Sequence, residues 1–121
     1  MPRHSVSKIY SQQRIIQTND TVLCWIVVRN NSHVTTSEGA ELNIRKLPVG
    51  LSTNISVYYI GTIPPQEVKF VEFTVVTENA PGGYNHIVFR LDYKIPPGTT
   101  VYRAYYDRSI YVAALRGIRP M

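Results

Sequence analysis

Seven apolar residues in a row, Val22-Leu23-Cys24-Trp25-Ile26-Val27-Val28, stand between a Thr18-Asn-Asp-Thr cluster and Arg29-Asn-Asn-Ser. The run is too short for a core helix and rich in β-branched and aromatic residues, which suit extended backbone. As a strand it is apolar on both faces. Val22, Cys24, Ile26 and Val28 share one, and Leu23, Trp25 and Val27 share the other. A strand on a solvated sheet alternates with polar residues, so this one needs cover on both sides.

The rest of the chain has the same short period, broken by Asn, Gly and Pro clusters. Further strands are predicted at residues 7–17, anchored by Ile9, Ile15 and Ile16, and at 41–46, 55–60, 69–77, 84–94 and 100–115, the last as one long strand or a pair. Val71, Phe73 and Val75 are assigned to one face, as are Ile87, Phe89, Leu91 and Tyr93. Pro48 removes a ladder donor and Gly50 permits positive φ, so Leu47 to Leu51 is a turn; Gly61 through Pro65 and Pro81-Gly-Gly83 close other strands. Strands spaced roughly every eight to twelve residues leave no room for crossover helices. The expected fold is all-β, an immunoglobulin-like two-sheet antiparallel β-sandwich of about seven to eight strands. It forms one domain over residues 1–121 with short basic tails. A chain of 121 residues buries roughly two-thirds of its unfolded surface, enough for a core without staples.

Several turn motifs occur in the order found in CARDB-type immunoglobulin-like domains and the repeat modules of archaeal surface layers. Asn30-Asn31-Ser32 stands where a family strand ends in Asn-x-Gly, and Pro48-Val-Gly-Leu51 matches a Pro-x-Gly-Leu turn. Gly61-Thr-Ile-Pro-Pro65-Gln-Glu67 matches Gly-x-Leu-x-Pro-Gly-Glu, with Gln66 in place of the turn glycine. Phe73-Thr-Val75 and Pro81-Gly-Gly-Tyr84, leading to Tyr93, complete the series. The chain resembles that family over a little more than half its length. The resemblance implies a module that adheres, spaces or packs without a shared catalytic residue, such as a stand-alone archaeal or archaeal-viral relative.

No constellation of side chains spells out catalysis. His4, His33 and His86 are scattered, and the single Cys24 excludes an internal disulfide and reads as a small buried hydrophobe. Asp92 and Asp107 are flanked by Arg90, Lys94, Arg103 and Arg108, which suggests cross-strand ion pairs rather than a carboxylate dyad. No catalytic residue, metal or cofactor is expected. Asn19, Asn30 and Asn54 begin Asn-x-Ser/Thr sequons, read as turn chemistry. Tyr84, just after Gly83, is placed as a tyrosine corner whose hydroxyl bonds the preceding connection.

What remains is binding. The second apolar face, Leu23, Trp25 and Val27, is the expected protein interface, covered either by the N-terminal or 111–115 segment or by a second copy; a homo-oligomer is favoured. The inverted parity, with Trp25 in the core and the Cys24 face outward, is the alternative and needs the same second cover. Net charge is +5, from thirteen basic and eight acidic residues. This leaves nucleic acid or glycan as alternative partners. Their contacts would be Tyr102, Arg103, Tyr105, Tyr106 and Arg108 on one basic, aromatic strand, and Arg3, Lys8, Arg116 and Arg119 in the tails. No apolar stretch is long enough to span a membrane, and residues 1–5 lack a signal-peptide core. The expectation is a cytoplasmic or virion-associated chain, unless it is a fragment of an exported protein.

Overall fold

The strand that is apolar on both faces lies in the middle of one sheet of a two-sheet β-sandwich. The computed structural model describes residues 3–114. Within them are β1 (His4–Val6), β2 (Tyr10–Ser11), β3 (Ile16–Gln17), β4 (Thr21–Asn30), β5 (Ser37–Lys46), β6 (Ser52–Thr53), β7 (Val57–Ile63), β8 (Val68–Val76), β9 (Gly83–Lys94) and β10 (Tyr102–Ala113), with no helix among the described residues. The first sheet runs β1-β4-β8-β6, with β2 also paired to β4; the second runs β3-β10-β9-β5-β7. Every pairing is antiparallel except β3 with β10. The strands beyond the expected seven or eight are pieces of two or three residues.

The alternation sets the core. Val22, Cys24, Ile26 and Val28 of β4 and Val71, Phe73 and Val75 of β8 are buried from one sheet. Leu42, Ile87, Phe89, Leu91, Ile110 and Val112 meet them from the other. Phe73 and Phe89 pack edge to face across the interior, centroids 5.9 Å apart and planes at 62°, a geometry aromatic quadrupoles favour. Burial pushes the Cys24 thiol up to about 11, which keeps it protonated and unreactive.

Residues 7–17 do not form one strand. They hold only the short β2 and β3, with β1 just before them, because the segment changes sheets along the side of the sandwich. The polar residues between the pieces cannot sustain a ladder with a buried face. Side chains hold the crossing instead. Ser7 Oγ accepts from the Val27 N–H at 2.8 Å, and Thr77 Oγ1 donates to Gln17 O at 2.6 Å while accepting from the Asp20 N–H at 2.8 Å. Ile16 is buried in the crossing, whereas Ile15 is exposed.

The turn glycines sit where backbone geometry demands them. Gly50 has φ +86°, and a Cβ there would lie 2.6 Å from the Asn79 carbonyl oxygen. Leu51 N–H closes its turn onto Pro48 O at 3.2 Å. Strand β7 does not end at Gly61. It passes through that residue at φ +91°, next to a slip in register against β5, a bulge conformation open to glycine.

Gln66 takes the left-handed conformation with φ +66°. In the turn that begins at Pro64 and Pro65, hydrogen bonds offset the strain. Its N–H reaches Asn30 O at 2.9 Å, Nε2 reaches Asn31 O at 2.9 Å, and Oε1 accepts from Arg29 Nη2 at 2.7 Å. Gln66→Ala should therefore cost about 1–3 kcal/mol, since it keeps the strained φ and strands part-buried partners. Urea denaturation checks this; an unchanged midpoint would mean that the side-chain bonds contribute nothing.

Candidate functional site

On the outer face of the first sheet, Leu23, Trp25 and Val27 point away from the core. β8 adds to them through the register Val27↔Phe70, Trp25↔Glu72 and Leu23↔Thr74. Leu23 is 37% exposed and Phe70 61%, with Val68 beside them at the strand end. Trp25 is covered from within. Tyr10 of β2 stacks on it at 5.9 Å with planes 17° apart, and Lys8 Nζ lies 5.1 Å from the Tyr10 ring centre. The N-terminal segment thus shields the tryptophan but leaves Leu23, Val27, Val68 and Phe70 as an open apolar stripe. Phe70 was passed over in the sequence because its strand was read for its inward face; an aromatic residue at outward parity was the available signal.

The tyrosine–arginine strand does not present one platform. Pairing of β10 with β9 puts Arg103 opposite Asp92 and Tyr105 opposite Arg90 on the outer face, while Tyr102, Tyr106 and Arg108 fall on the inner side opposite Tyr93, Phe89 and Ile87. Strand alternation separates neighbours in sequence onto opposite faces. Tyr102 stacks on Tyr93 at 5.6 Å. Tyr106 donates its hydroxyl to His4 O at 3.2 Å, and burial raises its pKa. Arg108 Nη2 donates to Val6 O at 2.8 Å, with its guanidinium over the Tyr106 ring at 5.6 Å. These inner residues bind β1, and only Arg103 and Tyr105 remain from the set as outer-surface groups.

The tails divide in the same way. Arg3 is half-buried, and its carbonyl accepts from Asn31 N–H at 2.7 Å. Arg116 and Arg119 lie outside the described residues. His4, read as part of a scattered set, is buried on β1. Its Nε2 lies 2.8 Å from Ser37 Oγ, its ring packs 4.2 Å from Tyr93, and its Nδ1 has no partner among the described residues. Desolvation, with the nearby Arg3 charge second, lowers its pKa to about 4.

The outer face of the second sheet carries the ion pairs. Arg90 grips Asp92 with Nε at 2.8 Å and Nη2 at 2.9 Å, Arg103 approaches Asp92 at 3.7 Å, and His86 Nδ1 lies 2.9 Å from Asp107. Asp92 and Asp107 are therefore paired with bases. No group of three or more His, Cys, Asp or Glu side chains converges on a metal-sized site among the described residues. No helix is long and apolar enough to cross a membrane. Asn30, the middle sequon, is fully buried, and its Nδ2 donates to Ile63 O at 2.9 Å.

Tyr84 is not a corner. It is 71% exposed, meets Tyr111 edge to face at 5.1 Å, and its hydroxyl has no partner among the described residues. Gly83 does take positive φ, at +105°. The outward parity of Tyr84 follows from β9, in which Asn85 faces inward. Asn85 ties the connection instead, donating Nδ2 to Pro81 O at 3.1 Å and Gly83 O at 3.2 Å.

One edge is long and open. Among the described residues β10 has β9 on one side, but on the other only β3, matched at Val112 and Ala113. Beside its lower half an apolar groove of about 570 Å³ is lined by Ile9, Ile15, Ile16, Ile110 and Tyr111.

No protein-family model matches the chain, and no curated protein matches it in sequence. Solved structures do resemble it in fold. A protein of unknown function from Porphyromonas gingivalis W83 is 14% identical, with a TM-score of 0.55, over 94% of this chain and 49% of that one. Spo0M, a sporulation control protein from Bacillus subtilis, is 16% identical, with a TM-score of 0.49, over 94% of this chain and 51% of that one. The chain thus spans about half the length of the structures it resembles.

Proposed function

We propose that this chain is a non-catalytic β-sandwich module that works by packing protein against protein, as a structural or assembly component, and that its outer first-sheet face packs against a second copy. The observation that carries the reading is the stripe of Leu23, Val68 and Phe70, exposed among the described residues, with half-buried Val27 on the same outer sheet face. Apolar stripes of this kind on solvated sheets mark association sites. A second copy suits the stripe's charges. Glu72 lies within it and makes no ion pair among the described residues, while Lys8 and Arg29 stand at its borders. A two-fold contact therefore brings opposite charges around an apolar centre. The turn motifs shared with CARDB-type modules support the same reading.

Light scattering over a concentration series tests it. The wild type should run heavier than its 13.8 kDa, and Phe70→Asp should shift the series toward lower mass without lowering the melting temperature. Salt should change the association little, because apolar burial drives it. A Phe70→Asp series that superimposes on the wild type would overturn the reading.

A further inference from the structure

Natural sheets blunt their edges with prolines, lysines, bulges or short strands. Of a further device, charged side chains, β10 has three, Arg103 and Asp107 outward and Arg108 inward, but it lacks the others. Its twelve residues contain no proline and no lysine, and they pair with β9 without a register slip from Tyr102 to Val112. Thr18 N–H bonds Ala113 O across to the β3 side. In a strand, alternate residues turn both backbone groups to the same side. The N–H and C=O of Arg103, Tyr105, Asp107 and Ser109 therefore face the open edge, above the stretch that β3 pairs. The Arg108 guanidinium agrees, since its Nη1 caps the Asp107 carbonyl at 2.8 Å.

We infer that a second copy of this chain pairs with that edge, β10 against β10 and antiparallel, about a two-fold axis at Tyr105. The sequence of the edge is complementary to itself in this register and in no neighbouring one. Arg103 of each copy falls opposite Asp107 of the other, twice, with Tyr105 opposite Tyr105 between them, all on the outer face. On the inner side Ala104 meets Tyr106, a small residue against a large one, and Tyr102 meets Arg108, a ring against a guanidinium. Placing the axis at Arg103 or at Asp107 sets like charges opposite each other. Placing it at Ala104 or Tyr106 leaves both charges without an opposite charge. In the chosen register the three outer pairs exchange about six backbone hydrogen bonds, two per pair. Arg108 releases the Asp107 carbonyl on docking, and Asp107 exchanges its exposed contact with His86 for Arg103 of the other copy. The result is one continuous sheet through two sandwiches. The edge belongs to the second sheet and the apolar stripe to the first, so the two contacts are separate.

The test uses the Phe70→Asp chain, in which the stripe is disabled, so failure of the edge and failure of the stripe read out independently. That chain should still dimerise, to twice 13.8 kDa. Adding Arg103→Asp, or adding Asp107→Arg, makes both outer pairs repulsive and should weaken the dimer roughly tenfold or more. Mixed together, these two variants bring Asp at 103 and Asp107 of one chain against Asp107→Arg and Arg103 of the other. A heterodimer should then form at least as well as the Phe70→Asp homodimer, although each variant alone dimerises roughly tenfold more weakly or worse. Circular dichroism confirms that each variant is folded. Dimers of the single variants as tight as the Phe70→Asp dimer, or a mixture that stays monomeric, would overturn the inference, as would a monomeric Phe70→Asp chain.

Discussion

Phe89→Ala should lower the free energy of unfolding by about 3–5 kcal/mol, the usual cost of removing a buried phenylalanine. Phe89 is fully buried on the inner face of β9 and packs edge to face on Phe73 of β8. The pair lies where the two sheets meet, so the truncation leaves a void that neither backbone can close without moving a whole sheet. Against domain stabilities near about 5–15 kcal/mol, that is a large fraction of the whole. Phe70→Ala is the control, with the same chemical change on the outer face of the first sheet. It should alter monomer stability by no more than about 0.5 kcal/mol. Urea midpoints at equal slope decide the matter; equal losses in the two variants would contradict the assignment of inner and outer faces.

Acid should destabilise the fold through His4. Its pKa is lowered from 6.5 to about 4 in the folded chain, so between those values the unfolded chain binds a proton that the folded one does not. Stability is then complete above about pH 6.5 and is lost as pH falls toward 4. At about 1.4 kcal/mol per pH decade, the loss amounts to at most about 3 kcal/mol. The ring has a single polar partner, Ser37 Oγ, and an unpartnered Nδ1, so nothing nearby receives the new positive charge. The first element released should be β1, and with it the contacts of Tyr106 and Arg108 to the carbonyls of His4 and Val6. His4→Phe keeps a ring against Tyr93 and removes the titration. Urea denaturation of both proteins at pH 7 and pH 4 measures the difference, and parallel losses in the two would show that His4 does not carry the effect.

For most of the long strands, which side chains go inside is legible in the sequence. A period of two settles this for β8 and β9, where Val71, Phe73 and Val75, and Ile87, Phe89 and Leu91, give each a distinct apolar face. Strand β4, in contrast, is apolar on both faces, and only its place in the folded sheet turns Val22 and Cys24 inward. The sequence also placed the turns at Gly50 and Gly83, where positive φ excludes most side chains. The same alternation held the information that Tyr105 and Tyr106 occupy opposite faces. Composition alone had grouped them into one platform, and pairing with β9 separated them. Other features had no local signal. The left-handed Gln66 is stabilised by the Asn30 and Asn31 carbonyls and by Arg29, all far from it in sequence. His4 is buried because β1 lies against β4 and the second sheet closes over it, and Trp25 is half-covered because the N-terminal segment returns to place Tyr10 on it. Whether β10 is an edge depends on the order of strands in the sheet. That order is set by pairings between segments distant along the chain, whose energies come from contacts the folded structure creates and no local stretch of sequence contains.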